Sequence, residues 1–321
     1  MIAPRTPRIA ALIGLALAAT LTHAQNYPSR PINIVVPFGP GTGNDIIARI
    51  VGQKVSENWN HPVVVENRPG ASGGIAMEIA ARAQPDGHTL VIASTTHIVN
   101  QFVSKVRYDI LKDFAPVSLT GSLPYVVAVT QSSPVKTLND LAAMAKSRPG
   151  KMNYAAIPGG VPHFMGEMLK SARGLDVVMI PYKSTTDAEV DVIAGRVEIW
   201  FTTMASALPL AKGGKVRVLG VSGDKRAATL PDVPTMAEAG LPTVDVTVGF
   251  FFLTAAAAPR ANVLALNREI VKAHESREVK DRLAAAGVDP RSSSVDDVDA
   301  LLKSEVARWS KIIKESGVRI E

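Results

Sequence analysis

Three glycine-rich loops hold most of the residues of this chain that could do chemistry: Pro37 to Asn44, Asn67 to Gly74 and Ile157 to His163. Each follows a β-branched run and precedes a helical pattern. Glycine lets a ligand come close to the backbone, and a helix N-terminus offers unsatisfied N–H groups and partial positive charge. Such loops suit anion binding.

Two sharper chemistries compete for the same residues. Gly39 and Gly41 begin a dinucleotide fingerprint, and Glu66 ends the next strand where a ribose-binding acid belongs. The third glycine of that pattern, however, is Asn44, and no Gly-Lys-Ser/Thr follows to make a P-loop. Gly70-Ala71-Ser72-Gly73-Gly74 satisfies the hydrolase pattern G-x-S-x-G. There the serine should follow its strand directly, whereas Asn67-Arg68-Pro69 intervenes here. None of His88, His97, His163 and His274 falls late in the chain beyond a well-placed acid. A serine hydrolase using Ser72 stays as the alternative reading. With no cysteine and no histidine pair at i, i+4, neither a metal site nor a cofactor is expected.

The elements that would position these loops alternate along the chain. Strand patterns at Ile32–Val36, Val63–Glu66 and Thr89–Ala93 enclose helical ones, with Asn44 read as the N-cap of the first helix and an Ala-rich helix near Ile75–Ala83. A second series offers strands at Val126–Val129, Asn153–Ala156, Val177–Ile180, Ile199–Phe201 and Val216–Val221. Thr137-Leu138-Asn139-Asp140 resembles a capping box. The pattern predicts two α/β units with parallel sheets. Val244–Leu253 then reads as one long apolar strand, followed only by helices at Asn262–His274, Glu278–Ala286 and Val295–Ser316. If that strand crosses back, residues 25–125 plus 247–321 make one domain and 126–246 the other, joined by hinge strands near Tyr125 and Val246.

The N-terminus sets the compartment. Arg5 and Arg8 precede an apolar run, Ile9 to Leu21, and Thr22-His23-Ala24 fits a cleavage site. The run falls short of the ~20 apolar residues a membrane span needs. Residues 1–24 are therefore read as a signal peptide cleaved after Ala24, and the mature chain as periplasmic. The formal charge of +6 is mild and spread along the chain. No Lys/Arg run interleaves with aromatics, so nucleic acid is not an expected partner.

With these residues in view, the chain resembles the extracytoplasmic solute-binding proteins of tripartite tricarboxylate transporters, the Bug family, over nearly its whole mature length. The resemblance rests on Tyr27-Pro28-Ser29-Arg30-Pro31-Ile32, Val65-Glu66-Asn67-Arg68-Pro69-Gly70-Ala71, Pro85-Asp86-Gly87, Lys112-Asp113-Phe114, Pro181-Tyr182-Lys183 and Leu230-Pro231-Asp232-Val233-Pro234-Thr235. It implies a periplasmic-binding-protein fold, an α/β architecture of two domains closing on a small carboxylate. It implies no catalysis, a monomer, and membrane transporter subunits as partners; a ligand-presenting sensor is the family's other use. By the same resemblance, the ligand-binding positions are Phe38, Gly39, Gly41 and Thr42 in the first loop, and Ala71, Ser72 and Gly73 in the second. Thr95 and Thr96 follow the third strand, and Gly159, Gly160, Val161 and His163 come from the other domain.

Departures from the family pattern bear on the ligand. Val161 stands where a threonine is common, Ser184 where glycine follows Pro-Tyr-Lys, Thr202 where aspartate is common, and Gly249 where tryptophan is frequent. An aspartate at Thr202 would repel an anion and favour an amino group; threonine does not. Ser184 and Thr202 therefore join the expected site, with Val161 and Gly249 shaping its distal end. The expected ligand is a dicarboxylate, aliphatic or aromatic, such as terephthalate.

Overall fold

The computed structural model describes residues 27–223, 225–244 and 246–316. The expected signal peptide, residues 1–24, lies outside them. No helix among the described residues is long and apolar enough to cross a membrane.

The chain folds from alternating strands and helices. β1 (Ile32–Val36) leads to α1 (Gly43–Trp59), and β2 (Val63–Asn67) to a single 3₁₀ turn (Ala71–Gly73) and α2 (Gly74–Ala81). β3 (Thr89–Ser94) runs directly into α3 (Thr95–Val103), a helix absent from the sequence expectations although Ile98, Val99, Phe102 and Val103 recur at helical spacing. β4 (Phe114–Thr130) is followed by α4 (Leu138–Ser147), β5 (Met152–Ala156), α5 (Val161–Arg173), β6 (Val177–Pro181), α6 (Thr185–Ile193), β7 (Ile199–Thr203), α7 (Met204–Lys212) and β8 (Val216–Val221). β9 (Thr247–Ala255) then precedes α8 (Arg260–Glu275), α9 (Arg277–Ala285) and α10 (Val295–Ser316).

The strands lie in the order β2-β1-β3-β9-β4-β7-β5-β6, with β8 also pairing β4. β1 is parallel to β2 and β3, and β5 to β6 and β7, as βαβ units require. β4 belongs to both halves. Its first part runs antiparallel to β9 from Phe114↔Ala255 to Pro124↔Thr247. Its second part pairs antiparallel with β7, from Tyr125↔Thr203, and with β8, from Val126↔Val221. The sequence suggests a strand only over Val126–Val129, because Pro116, Gly121 and Pro124 read as breaks. The strand absorbs two of them as register shifts, between Pro116 and Ser118 and between Leu119 and Gly121.

Burial follows the strands. Phe250, Phe251 and Phe252 of β9 and Trp200 and Phe201 of β7 are almost wholly enclosed. The C-terminal helices have no sheet of their own: α8 packs on α1 and β4, α9 on α1 and α8, and α10 on α3 and β4. Trp309 of α10 is fully buried and meets Phe164 of α5 edge-on, with ring centroids 6.1 Å apart.

Candidate functional site

A cavity of ≈ 60 Å³ lies at the carboxyl ends of β1, β3, β5 and β7. That is where an open α/β sheet places ligands. One buried water needs roughly 10–15 Å³ on this measure, so the cavity has room for a small molecule.

Helix starts surround it. Thr42, Gly43 and Asn44 come from the start of α1, and Ser94 and Thr96 from that of α3. From the other half come Gly160 and Pro162 at the start of α5, Thr185 at that of α6, and Thr203 and Ser206 at that of α7. Five helix N-termini therefore converge on one space, each with a positive dipole end. Phe38, Tyr125, Trp200, Phe201 and Phe250 complete the wall. No Lys, Arg, His, Asp or Glu among the described residues lines it.

Local structure explains how these groups are held. The cap of α1 is Thr42, with extended backbone (φ −75°, ψ 162°), and not Asn44 as the sequence suggests. Asn44 lies two residues inside and donates from Nδ2 to Ile92 O of β3 at 2.7 Å, fixing the helix start to the sheet. Asp45 is buried beside it. Burial pushes its carboxyl up, but Arg49, the Gly41 N–H and Asn67 outweigh that and hold it below the usual range. The Gly41 N–H is thereby engaged within its own loop, at 3.0 Å from Asp45 Oδ2.

Beneath the loops lies His97, wholly buried. The Ser94 N–H donates to its Nδ1 at 2.9 Å, so the proton sits on Nε2, which has no partner among the described residues. Burial pulls its pKa down to about 4, leaving the ring neutral. Gly73 lies against that ring: a methyl group there would stand 2.3 Å from Nε2. Tyr125 is also enclosed; burial raises its phenol well above its ordinary value, so it stays protonated beside Thr96.

Of the fifteen residues expected at the site, Phe38, Thr42, Thr96, Gly160 and Thr202 line the cavity. The others stand behind it or at its rim. Gly39 accepts from Thr42 Oγ1 at 2.9 Å and lies close to Thr186. Ala71 and Ser72 adopt the left-handed region at φ 48° and 52°, and Ser72 Oγ donates to Pro158 O at 3.3 Å. Thr95 Oγ1 accepts from Gly249 N at 3.0 Å. Gly159 (φ 75°) donates to His163 Nδ1 at 3.4 Å, and burial holds His163 below its ordinary pKa. Val161 is core, and Ser184 caps α6 by accepting from Asp187 N at 3.2 Å.

Two expectations about the distal wall change. Gly249 alternates with Val248 and Phe250, which face the cavity, so it points to the opposite side. A side chain there would run into Phe251, 2.7 Å from its Cζ, and not into the ligand space. Val161 is likewise turned into the core. Tyr125, Trp200, Phe201, Ser206 and Phe250 are cavity residues the sequence reading missed. Ser206 had a signal, a hydroxyl one turn into a helix that follows a strand; the aromatics read only as core.

Comparisons with known proteins identify the family. The family described as tripartite tricarboxylate transporter family receptor matches residues 47–318. A UPF0065 protein from the tcbD-tcbE intergenic region of Pseudomonas sp. strain P51 is 37% identical, over 96% of this chain and 94% of its own. The structure of R. palustris Rpa4515 with adipate superposes with a TM-score of 0.87 at 31% identity, covering 92% of this chain and 99% of that one. The periplasmic binding protein BugD gives 0.87 at 28%, covering 92% and 100%. BugD is described as a periplasmic binding protein; in this chain Ser72 donates to a backbone carbonyl and not to a histidine.

Proposed function

We propose that this chain, which belongs to the tripartite tricarboxylate transporter receptor family, captures a carboxylate in the periplasm and delivers it to the membrane subunits of such a transporter. One observation carries the reading: five helix N-termini converge on a cavity that no charged side chain among the described residues lines. Positive dipole ends and N–H donors attract an anion without a fixed counter-charge that would slow its release.

The magnitudes suffice. A hydrogen bond to a charged group contributes roughly 1.5–3 kcal/mol, and a helix N-terminus about 0.3–2 kcal/mol. Micromolar binding needs only about 8 kcal/mol in total. The aromatic walls add apolar contact to a flat or extended ligand body. A dicarboxylate fits best, since helix starts lie at both sides of the cavity; a matched structure holds adipate, and the aromatic walls suit terephthalate equally.

In this reading residues 25–125 plus 247–321 and residues 126–246 act as two domains of a monomer, and residues 1–24 are removed on export. A ligand touching both sides stabilises the closed arrangement by the contacts it makes only there. A thermal-shift screen of mono-, di- and tricarboxylates tests the proposal. A ligand at 100 times its Kd should stabilise the protein by about 2.7 kcal/mol; no shift with any carboxylate would overturn it.

A further inference from the structure

We infer that a second cavity, behind the strands that cross between the two halves of the sheet, is a site for a small multivalent oxyanion whose binding tightens the hold on the carboxylate. The site stands on its own residues; its effect on the carboxylate rests on the two-domain, carboxylate-binding reading above.

The cavity measures ≈ 310 Å³, against ≈ 60 Å³ for the ligand cavity. Ser122 and Pro124 of β4 and Thr247 of β9 line it, whereas Tyr125 and Val248, their neighbours along the same strands, line the ligand cavity. Successive side chains of a strand face opposite ways, so the two cavities lie back to back across β4 and β9. The other walls come from both halves of the molecule. Residues 222–223 and 225–229, following β8, form one; residues 284 and 287–291, at the end of α9 and beyond it, form the other.

Charge and donors specify an anion. Lys225, Arg226 and Arg291 line the cavity against one acid, Asp289. Arg226 is paired with Glu238 and Arg291 with Asp289, each at 2.8 Å, while Lys225 has no ion pair or hydrogen bond among the described residues. Ser122 and Thr247 add hydroxyls at the floor. The carbonyls at the end of α9, which would repel an anion, are already engaged: Leu283 O accepts from Val288 N and Ala284 O from Gly287 N, both at 2.9 Å. An oxyanion with two or more charges can therefore draw on Lys225 from one wall and Arg291 from the other, through charge-assisted hydrogen bonds.

Position gives the site its effect. Ser222 Oγ accepts from Tyr125 N at 2.8 Å and donates to Val246 O at 2.5 Å, so one buried hydroxyl ties the wall after β8 to both crossing segments. Tyr125 is itself a wall of the ligand cavity. On the opposite wall, Ser122 and Asp289 exchange backbone hydrogen bonds at 3.1 and 2.9 Å. When two domains rotate about such strands, parting on the ligand side brings the rear walls together. An anion held between those walls opposes that rotation, favours the shut front and strengthens carboxylate binding. By linkage the carboxylate strengthens anion binding by the same factor.

Titration calorimetry with pyrophosphate at fixed ionic strength tests the site. Binding should saturate at one anion per chain, and the Lys225→Ala/Arg291→Ala double variant should weaken it about tenfold or more. With pyrophosphate saturating, the tightest carboxylate of the screen should bind about threefold or more tighter. The double variant should lose that gain, keep the carboxylate Kd measured without pyrophosphate, and unfold at the wild-type temperature. Pyrophosphate that fails to saturate, that binds the double variant equally well, or that competes with the carboxylate overturns the rear site and leaves the carboxylate reading standing. An unchanged carboxylate Kd overturns the coupling. If no carboxylate binds while pyrophosphate still depends on Lys225 and Arg291, the rear site holds and the carboxylate reading fails.

Discussion

Ser72 Oγ donates to the carbonyl oxygen of Pro158 across 3.3 Å, joining the turn after β2 to the turn after β5. The two residues are 86 positions apart and belong to opposite sides of the cavity. In the proposed two-domain reading such a contact forms only when the sides are together, and it would add to closure without touching the ligand. Ser72→Ala should weaken carboxylate binding about two- to tenfold, the worth of one neutral hydrogen bond. Titration calorimetry reads this directly, and an unchanged Kd would show that the contact contributes nothing.

His97 makes stability depend on pH. Its folded pKa of about 4 lies below the ordinary 6.5 because the ring is buried. The unfolded chain therefore binds the proton first, and stability present above pH 6.5 is lost as the pH falls toward 4. The loss between pH 7 and 4.5 should be about 2 kcal/mol from this residue. Burial of His163 and His274 acts in the same direction. Denaturant unfolding of His97→Gln at the two pH values should show a drop smaller by that amount; an identical drop would mean the ring is not the sensor.

Gly73 and Gly174 separate backbone strain from steric conflict. Both have positive φ, 88° and 61°, but a methyl group at Gly174 meets nothing within 4 Å, while at Gly73 it meets His97. Gly174→Ala should cost about 1–2 kcal/mol, the left-handed penalty alone. Gly73→Ala should cost at least about 1 kcal/mol more and should also weaken the ligand by displacing the second loop. Equal destabilisation in chemical denaturation would contradict the packing described around His97.

Thr137 provides the contrast in which stability and binding separate. Its Oγ1 accepts from Asp140 N at 3.0 Å, while Asp140 accepts from the Thr137 N–H at 2.9 Å, forming the capping box of α4. Thr137→Ala should remove about 1 kcal/mol of stability. Because Thr137 does not line the cavity, the Kd for any carboxylate should be unchanged. A shift in Kd would mean that α4 is coupled to the site.

Particular residues show how far the sequence could be read. The loops at strand ends were legible because Gly, Pro and Asn punctuate hydrophobic runs, and Phe38, Thr42, Thr96, Gly160 and Thr202 do reach the cavity. Tyr125, Trp200 and Phe250 were not: an aromatic in a strand has the same periodicity whether it faces the core or a ligand. The cap of α1 was misplaced by two residues, from Thr42 to Asn44, because either residue type can cap. Gly249 was expected to shape the distal wall because a tryptophan is frequent there in the family, but that pattern does not report which face of the strand the position occupies, and here it faces Phe251. The length of β4 was hidden by prolines that the strand accommodates through register shifts and pairing gaps.

A crystal structure grown with the tightest carboxylate from the screen tests the central claim most directly. The account predicts one carboxylate among the starts of α1 and α3, with the ligand body between Phe38, Trp200 and Phe250 and its far end at Thr202. A carboxylate bound elsewhere on the molecule, with this cavity holding only solvent, would contradict it.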